Sequence, residues 1–206
     1  AGIDNISPDG VLANRRSLYG GYFNGGVGAG QSYAYVGIKY NATNTGTGGT
    51  NYKIIGNGTN STMIMDKENK PRVLFSPEAP EILFEDYGTA ELVNGEVYVP
   101  IDEILKEALY IDDKHPLKVF IQLEGDCNGV FVTEKSKNGF KVKELANGTS
   151  NTKFSWHIVA NRADDKDAQG NITSEHVGLR LPYGPVPAKE TQLAIKSNEK
   201  NIVAQK

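Results

Sequence analysis

Any nucleophilic or acid–base chemistry in this chain has to come from one cysteine, three histidines and three adjacent carboxylate pairs. Cys127 lies in the turn-like stretch GDCNG, and His157 lies in an alternating run 30 residues later, so a Cys–His pair is the first arrangement to consider. No glycine-flanked elbow or strand-to-helix turn presents the thiol, and we read Cys127 as structural and partly buried. His115, His157 and His176 sit in three different local contexts and make a poor metal set. A single cysteine also permits neither a cysteine zinc cluster nor an intramolecular disulfide. We expect no metal and no cofactor. The acid pairs Glu85-Asp86, Asp112-Asp113 and Asp164-Asp165 are sequence neighbours. In strands such neighbours point to opposite faces, so adjacency builds no shared site and we read them as solvated. Two acids on different strands can still meet, as in glycoside hydrolases. The stretch GGVGAG lacks a following helix and a downstream acid, and DKENK lacks the acid ladder and central glycine of a calcium loop. We therefore expect a protein that is not an enzyme.

The totals point the same way. The chain has 206 residues, a formal net charge of -3 and 38% hydrophobic residues, with 23 glycines. It can bury a core, but a thin one. Basic residues are scattered, which argues against a nucleic-acid footprint. No run approaches a membrane span and no signal-peptide pattern is present, so we expect no membrane insertion. The start, AGIDNISPDG, leads us to expect a C-terminal fragment of a longer chain. Six N-x-S/T triplets begin at Asn5, Asn41, Asn57, Asn60, Asn147 and Asn171; in so Asn-rich a sequence, chance and turn chemistry explain them.

The elements that must position any site are mostly strands. Segments YGGYFNG from Tyr19, YVGIKYN from Tyr35 and YKIIGNG from Tyr52 look like short strands closed by Asn-containing turns. Each is too poor in apolar residues to hold a core alone, so stacked or intertwined copies are expected to cover them. The stretches Asn41–Asn51 and Asn57–Thr62 read as polar loops. Thr62–Asp66 and Arg72–Phe75 read as a hairpin, and the two prolines of SPEAP mark the boundary after it. Thr89–Val93 and Glu96–Pro100 flank Asn94-Gly95, the strongest hairpin signal in the chain. Ile101, Ile104, Leu105 and Leu109 stand at helical spacing behind Asp102 as a cap. Further strands are expected at Leu117–Leu123, Gly129–Lys135, Gly139–Leu145 and Phe154–Ala160. The expected core comprises Leu92, Val97, Val99, Val119, Ile121, Phe131, Phe140, Phe154, Trp156 and Ile158. This predicts an all-β chain: a Gly/Tyr/Asn-rich region over 1–75, a compact antiparallel β-sandwich-like domain with one short helix over 81–162, and an extended polar arm over 163–206.

Several of these stretches resemble a known family. YGGYFNGGV is similar to the YAGYFNG-V element in Gly-rich repeats of phage tail-fibre-like proteins. FEDYGTAELVNGEVYVPIDEIL, VFIQLEGDCNGVFVTEKSKNGFKVKEL and NTKFSWHIVANR resemble the start, middle and close of the domain that follows those repeats. The resemblance covers about Ser17 to Arg162; the tail from Ala163 falls outside it, and it shows no self-cleaving chaperone segment. It implies an elongated homotrimeric shaft ahead of the β domain, on the tail of a phage or on a related contractile injection particle at an extracellular surface. Partners would be the chain itself, other tail or baseplate proteins, and a cell-surface glycan or protein. The resemblance brings no shared catalytic residues. It also suggests why glycine and tyrosine occur together: chains winding about one axis need small residues inside and bulky ones between them.

Ligand contact is expected from exposed loops bearing aromatic and amide side chains, with Tyr40, Asn44 and Tyr52 around one loop and Cys127 and Asn128 in another turn. Two alternatives stay open, a bacterial surface or secreted adhesin module and a carbohydrate-active enzyme on a β-scaffold.

Overall fold

A computed structural model describes residues 19–25, 32–41 and 48–187. The three tyrosine-led segments form β1 (Tyr19–Asn24), β2 (Tyr33–Tyr40) and β3 (Thr50–Gly56), paired antiparallel in the order β1-β2-β3. Tyr35, Ile38 and Tyr40 are buried here, with Tyr19, Tyr22, Tyr33, Tyr52 and Ile55 packed around them. The rings of Tyr22 and Tyr35 lie 4.8 Å apart, and Tyr19 meets Tyr35 edge-on at 5.2 Å, a geometry aromatic quadrupoles favour. Tyr35 and Ile38 are three residues apart, so strict alternation would place them on opposite faces. Between them Gly37 takes φ 64°, a conformation that glycine adopts without strain, and both side chains enter one core. The sequence led us to expect neighbouring copies as the cover for these segments; their hydrogen-bonded partners lie in the same chain.

Next comes the hairpin of β4 (Ser61–Met65) and β5 (Pro71–Phe75), placed as the sequence suggests. Beyond it β6 (Leu83–Glu91) and β7 (Glu96–Pro100) flank the Asn94-Gly95 turn, whose residues take φ 53° and 83°. The turn forms, but not the hairpin expected of it. Only Val93 and Glu96 pair across it, and the two strands then diverge into different sheets. Helix α1 (Glu103–Ala108) starts where Asp102 accepts from the backbone N–H of Ile104 at 2.8 Å and of Leu105 at 3.1 Å, a side-chain N-cap. Ile104, expected on its inner face, is exposed; the helix is one turn and a half, and Ile101 and Leu109 on either side of it supply the burial.

The remaining strands are β8 (Leu109–Tyr110), β9 (Lys118–Leu123), β10 (Val130–Ser136), β11 (Gly139–Glu144), β12 (Lys153–Arg162), β13 (Asp165–Lys166) and β14 (Ile172–Ser174). One sheet runs β10-β11-β7; the other centres on β12, with β6 on one edge and β8 and β9 on the other. Both sheets feed one core that includes Val99, Phe140, Val142, Phe154 and Ile158. Among the described residues the architecture is all-β, in several antiparallel sheets with one short α-helix. One core assignment needs correction. Phe131 is exposed, whereas Val130 and Val132 pack on the core. Val132 stands opposite the fully buried Val142 and Phe131 opposite Lys143, and directly paired residues share a face. Trp156 is half-buried, edge-on to Phe140 at 5.9 Å, and lies over its cross-strand partner Gly88, where a Cβ would come within 2.5 Å of the ring.

The segment after Arg162 does more than extend. β13 and β14 pair, and the backbone then returns to the tyrosine sheet. The Thr50 hydroxyl donates to the Glu175 carbonyl at 2.6 Å, and Glu175 N–H donates to the Gly49 carbonyl at 3.0 Å. The hydroxyls of Tyr33, Tyr35 and Tyr40 donate to the carbonyls of Pro185, Val186 and Gly184. Prolines 182, 185 and 187 oppose a strand there, so side-chain hydroxyls make the connection that a ladder would otherwise make.

Candidate functional site

The residues expected to contact a ligand do not come together. Tyr40 is 9% exposed and belongs to the tyrosine core, so its ring offers no face to a ligand. Asn44 lies outside the described residues. Tyr52 is half-buried at the edge of that core. Cys127 and Asn128 occupy the turn between β9 and β10, the thiol half-buried and Asn128 exposed.

That turn is pinned by Glu144 at the end of β11. Its carboxylate accepts from the backbone N–H of Asn128 at 2.9 Å and of Ser150 at 2.8 Å. These two N–H groups hold its pKa below the usual carboxylate range. Its backbone N–H donates to the Gly95 carbonyl at 2.7 Å, so the side chain ties two turns together and the backbone of the same residue a third. Satisfied in this way, Glu144 acts as a loop clamp and not as a proton carrier.

The histidines each face a carboxylate. His115 Nδ1 lies 2.8 Å from Asp112, His157 Nε2 3.0 Å from Glu85, and the buried His176 Nε2 3.3 Å from Asp165. Among the described residues none is hydrogen-bonded to a serine, threonine or cysteine side chain. Ser155 shares the outer face of β12 with His157, but its hydroxyl donates to Glu124. Among the described residues no three His, Cys, Asp or Glu side chains converge as a metal set, and no helix is long and apolar enough to cross a membrane.

Two surfaces stand out instead. The first is an open groove of about 910 Å³ at the free end of the tyrosine sheet. Phe23, Tyr52 and Ile54 supply its apolar wall, and Asn24, Asn57 and Asn60 its amides. Among the described residues Glu78 is the one carboxylic acid along it, and neither histidine nor cysteine lines it. Sequence reasoning places Tyr52 near a ligand but reads Asn57–Thr62 only as a polar loop; the pairing of β2 with β3 brings Asn57 and Asn60 to the groove.

The second is the β4–β5 hairpin. Its tip is tightly specified: Asp66 accepts from Glu68 N–H at 2.9 Å, Lys70 N–H at 3.0 Å and Arg72 Nε at 2.8 Å, and Asn69 takes φ 61°. These bonds hold the Asp66 carboxyl below its usual pKa, the Lys70 N–H contributing most. Yet Met63, Ile64, Met65, Val73, Leu74 and Phe75 are all exposed, Met63 by 71% and Phe75 by 69%. The register puts Met63, Met65, Val73 and Phe75 on one face and Ile64 and Leu74 on the other. Both faces of a defined two-stranded element are apolar and bare.

No family model, curated protein or solved structure matches the chain.

Proposed function

We propose that the chain is a structural and attachment part of a trimeric fibre, of the kind borne on a phage tail or a related contractile injection particle, which fastens that particle to a cell-surface glycan or protein. The observation that carries this reading is the bare hairpin. An isolated two-stranded hairpin is marginal in water, and an exposed apolar surface of this kind marks an association site. Six large apolar side chains, between 47% and 71% exposed on one small element, form such a surface. A two-fold pair covers one face of each hairpin and leaves the other wet. A closed ring of three covers both. The resemblance of YGGYFNGGV to tail-fibre repeats agrees with that arrangement. The groove beside Phe23 and Tyr52 has the mixture of flat apolar and amide groups that suits surface recognition. On this reading the protein is not an enzyme and takes no cofactor.

The test is the mass of the intact chain in solution by sedimentation equilibrium. The expected value is three times the 22.4 kDa chain mass, falling to one chain when Met63→Lys and Phe75→Lys are combined. A native chain that sediments as a monomer at micromolar concentration overturns the reading.

A further inference from the structure

The outer face of the β12 sheet carries a second arrangement. Tyr87, His157 and Phe120 stand in one register row across three strands, His157 paired with Tyr87 on β6 and with Phe120 on β9. The ring centroids follow at 5.4 Å and 5.6 Å, tilted by 43° and 30°. Outward positions of a half-solvated sheet are expected to be polar, yet Tyr87 is 69% and Phe120 55% exposed. The Glu85 carboxylate holds the central imidazole in place from Nε2.

The rows on either side are polar in a particular way. Thr89, Ser155 and Gln122 form the next row toward one end, and Glu85 and Lys118 flank Val159 toward the other. A strip of exposed rings is therefore bordered on one side by hydroxyl and amide groups, with Glu124 bonded to the Ser155 hydroxyl, and on the other by one acid and one base. Such a border supplies both donors and acceptors and little net charge. The carboxylates of Glu85 and Glu124 outnumber the single base Lys118 there and disfavour a polyanion, and a purely apolar partner would bury the polar border unpaired, at a cost. A neutral chain of pyranose rings matches both parts: its C–H faces lie on the aromatic strip and its hydroxyls reach the border.

We infer that Tyr87, His157 and Phe120 form a carbohydrate-binding platform that takes a neutral oligosaccharide lying across the strands, with Thr89, Ser155, Gln122 and Glu85 reading its hydroxyls. The inference rests on the attachment half of the function proposed above and gives it residues and a ligand class. It is independent of the hairpin, so the two fail on different readouts.

The experiment exposes the full chain to a printed array of neutral and anionic oligosaccharides, then measures Kd for the strongest neutral binder by calorimetry. Tyr87→Ala and Phe120→Ala should each weaken that binding about tenfold. Tyr87→Phe should keep most of it, and the sedimented mass should stay that of the native protein throughout. These substitutions are at exposed positions, where folding is little affected. Three results overturn the platform: no neutral glycan retained by the native chain, undiminished binding by both alanine variants, or a loss of assembly in Tyr87→Ala, which makes the row a contact between copies. A monomeric native chain that still loses glycan binding on Tyr87→Ala upholds the platform and overturns the trimer alone.

Discussion

The hydroxyl of Tyr35 donates to the carbonyl of Val186 at 2.9 Å, across 151 residues of sequence. Tyr33 and Tyr40 bond the same short segment, so the tyrosine sheet and the returning arm form one unit. This is why glycine and tyrosine coexist near the start of the chain: glycine permits the distorted strands, and Tyr33, Tyr35 and Tyr40 each supply a ring for the cluster and a hydroxyl for the arm.

That unit should open in alkali. Burial above all, then the neighbouring phenols Tyr22, Tyr19 and Tyr33, pushes the Tyr35 pKa upward, and burial also raises Tyr33 and Tyr52. A raised folded pKa means that the stability is fully present below the unfolded phenol value of about 10 and is lost as pH rises through the folded value. Part of the phenolate absorbance should therefore arrive together with loss of sheet signal in circular dichroism. Phenolate formation complete before any loss of sheet would contradict the buried cluster. At neutral pH, Tyr35→Phe should cost about 1 kcal/mol for the lost bond to Val186.

Phe140 and Phe131 should respond oppositely to truncation. Phe140 is fully buried between the sheets, and Phe140→Ala should cost about 3–5 kcal/mol in urea unfolding. Phe131→Ser, on the exposed face, should stay within about 0.5 kcal/mol of the native protein. Equal costs would mean that β10 is held in the other phase.

Acid should release two clamps. Partial burial works against the Asp112 carboxylate, but bonds from His115, Tyr110 and Lys114 outweigh it and hold its pKa at about 2. Backbone N–H groups of Asn128 and Ser150 lower Glu144. Both pKa values are depressed by folding, so their contribution is present above the unfolded value and is lost as pH falls through the folded one. For Asp112 that window runs from about pH 4 to pH 2. Asp112→Asn and Glu144→Gln should therefore be less stable than the native protein at pH 7, with the difference closing by pH 2. A gap that does not change with pH would show that the carboxylate charge is not what holds these loops.

How much of this was legible in the sequence depends on how local each cause is. β9, β11 and β12 announce themselves because apolar and polar residues alternate with a period of two, and Asp102 marks its helix by local capping chemistry. The Asn94-Gly95 turn is equally local and it forms, but the partners of β6 and β7 are chosen by the core between the sheets, which no local pattern encodes. Phe131 was misplaced because VFV is apolar in both phases, and only the pairing of Val132 with Val142 decides between them. Tyr40, at the end of a strand-like segment, reads as flanking a ligand loop because the Gly184 carbonyl that receives its hydroxyl lies 144 residues away. The role of Glu144 had no sequence signal, since its partners are backbone N–H groups. Tyr87 and Phe120 have no local signal as a site, because their alignment through His157 needs the register of three strands.

The most direct test of the assembly uses the only two methionines in the chain, Met63 and Met65, both on the larger apolar face of the hairpin. Thioether oxidation by peroxide follows exposure. Its rate at each methionine, followed by mass spectrometry in native buffer and in urea, reports whether that face is covered. Copies packed on the hairpin predict native oxidation at least tenfold slower than in urea. Native oxidation as fast as in urea would show a face left open to water and contradict the trimer.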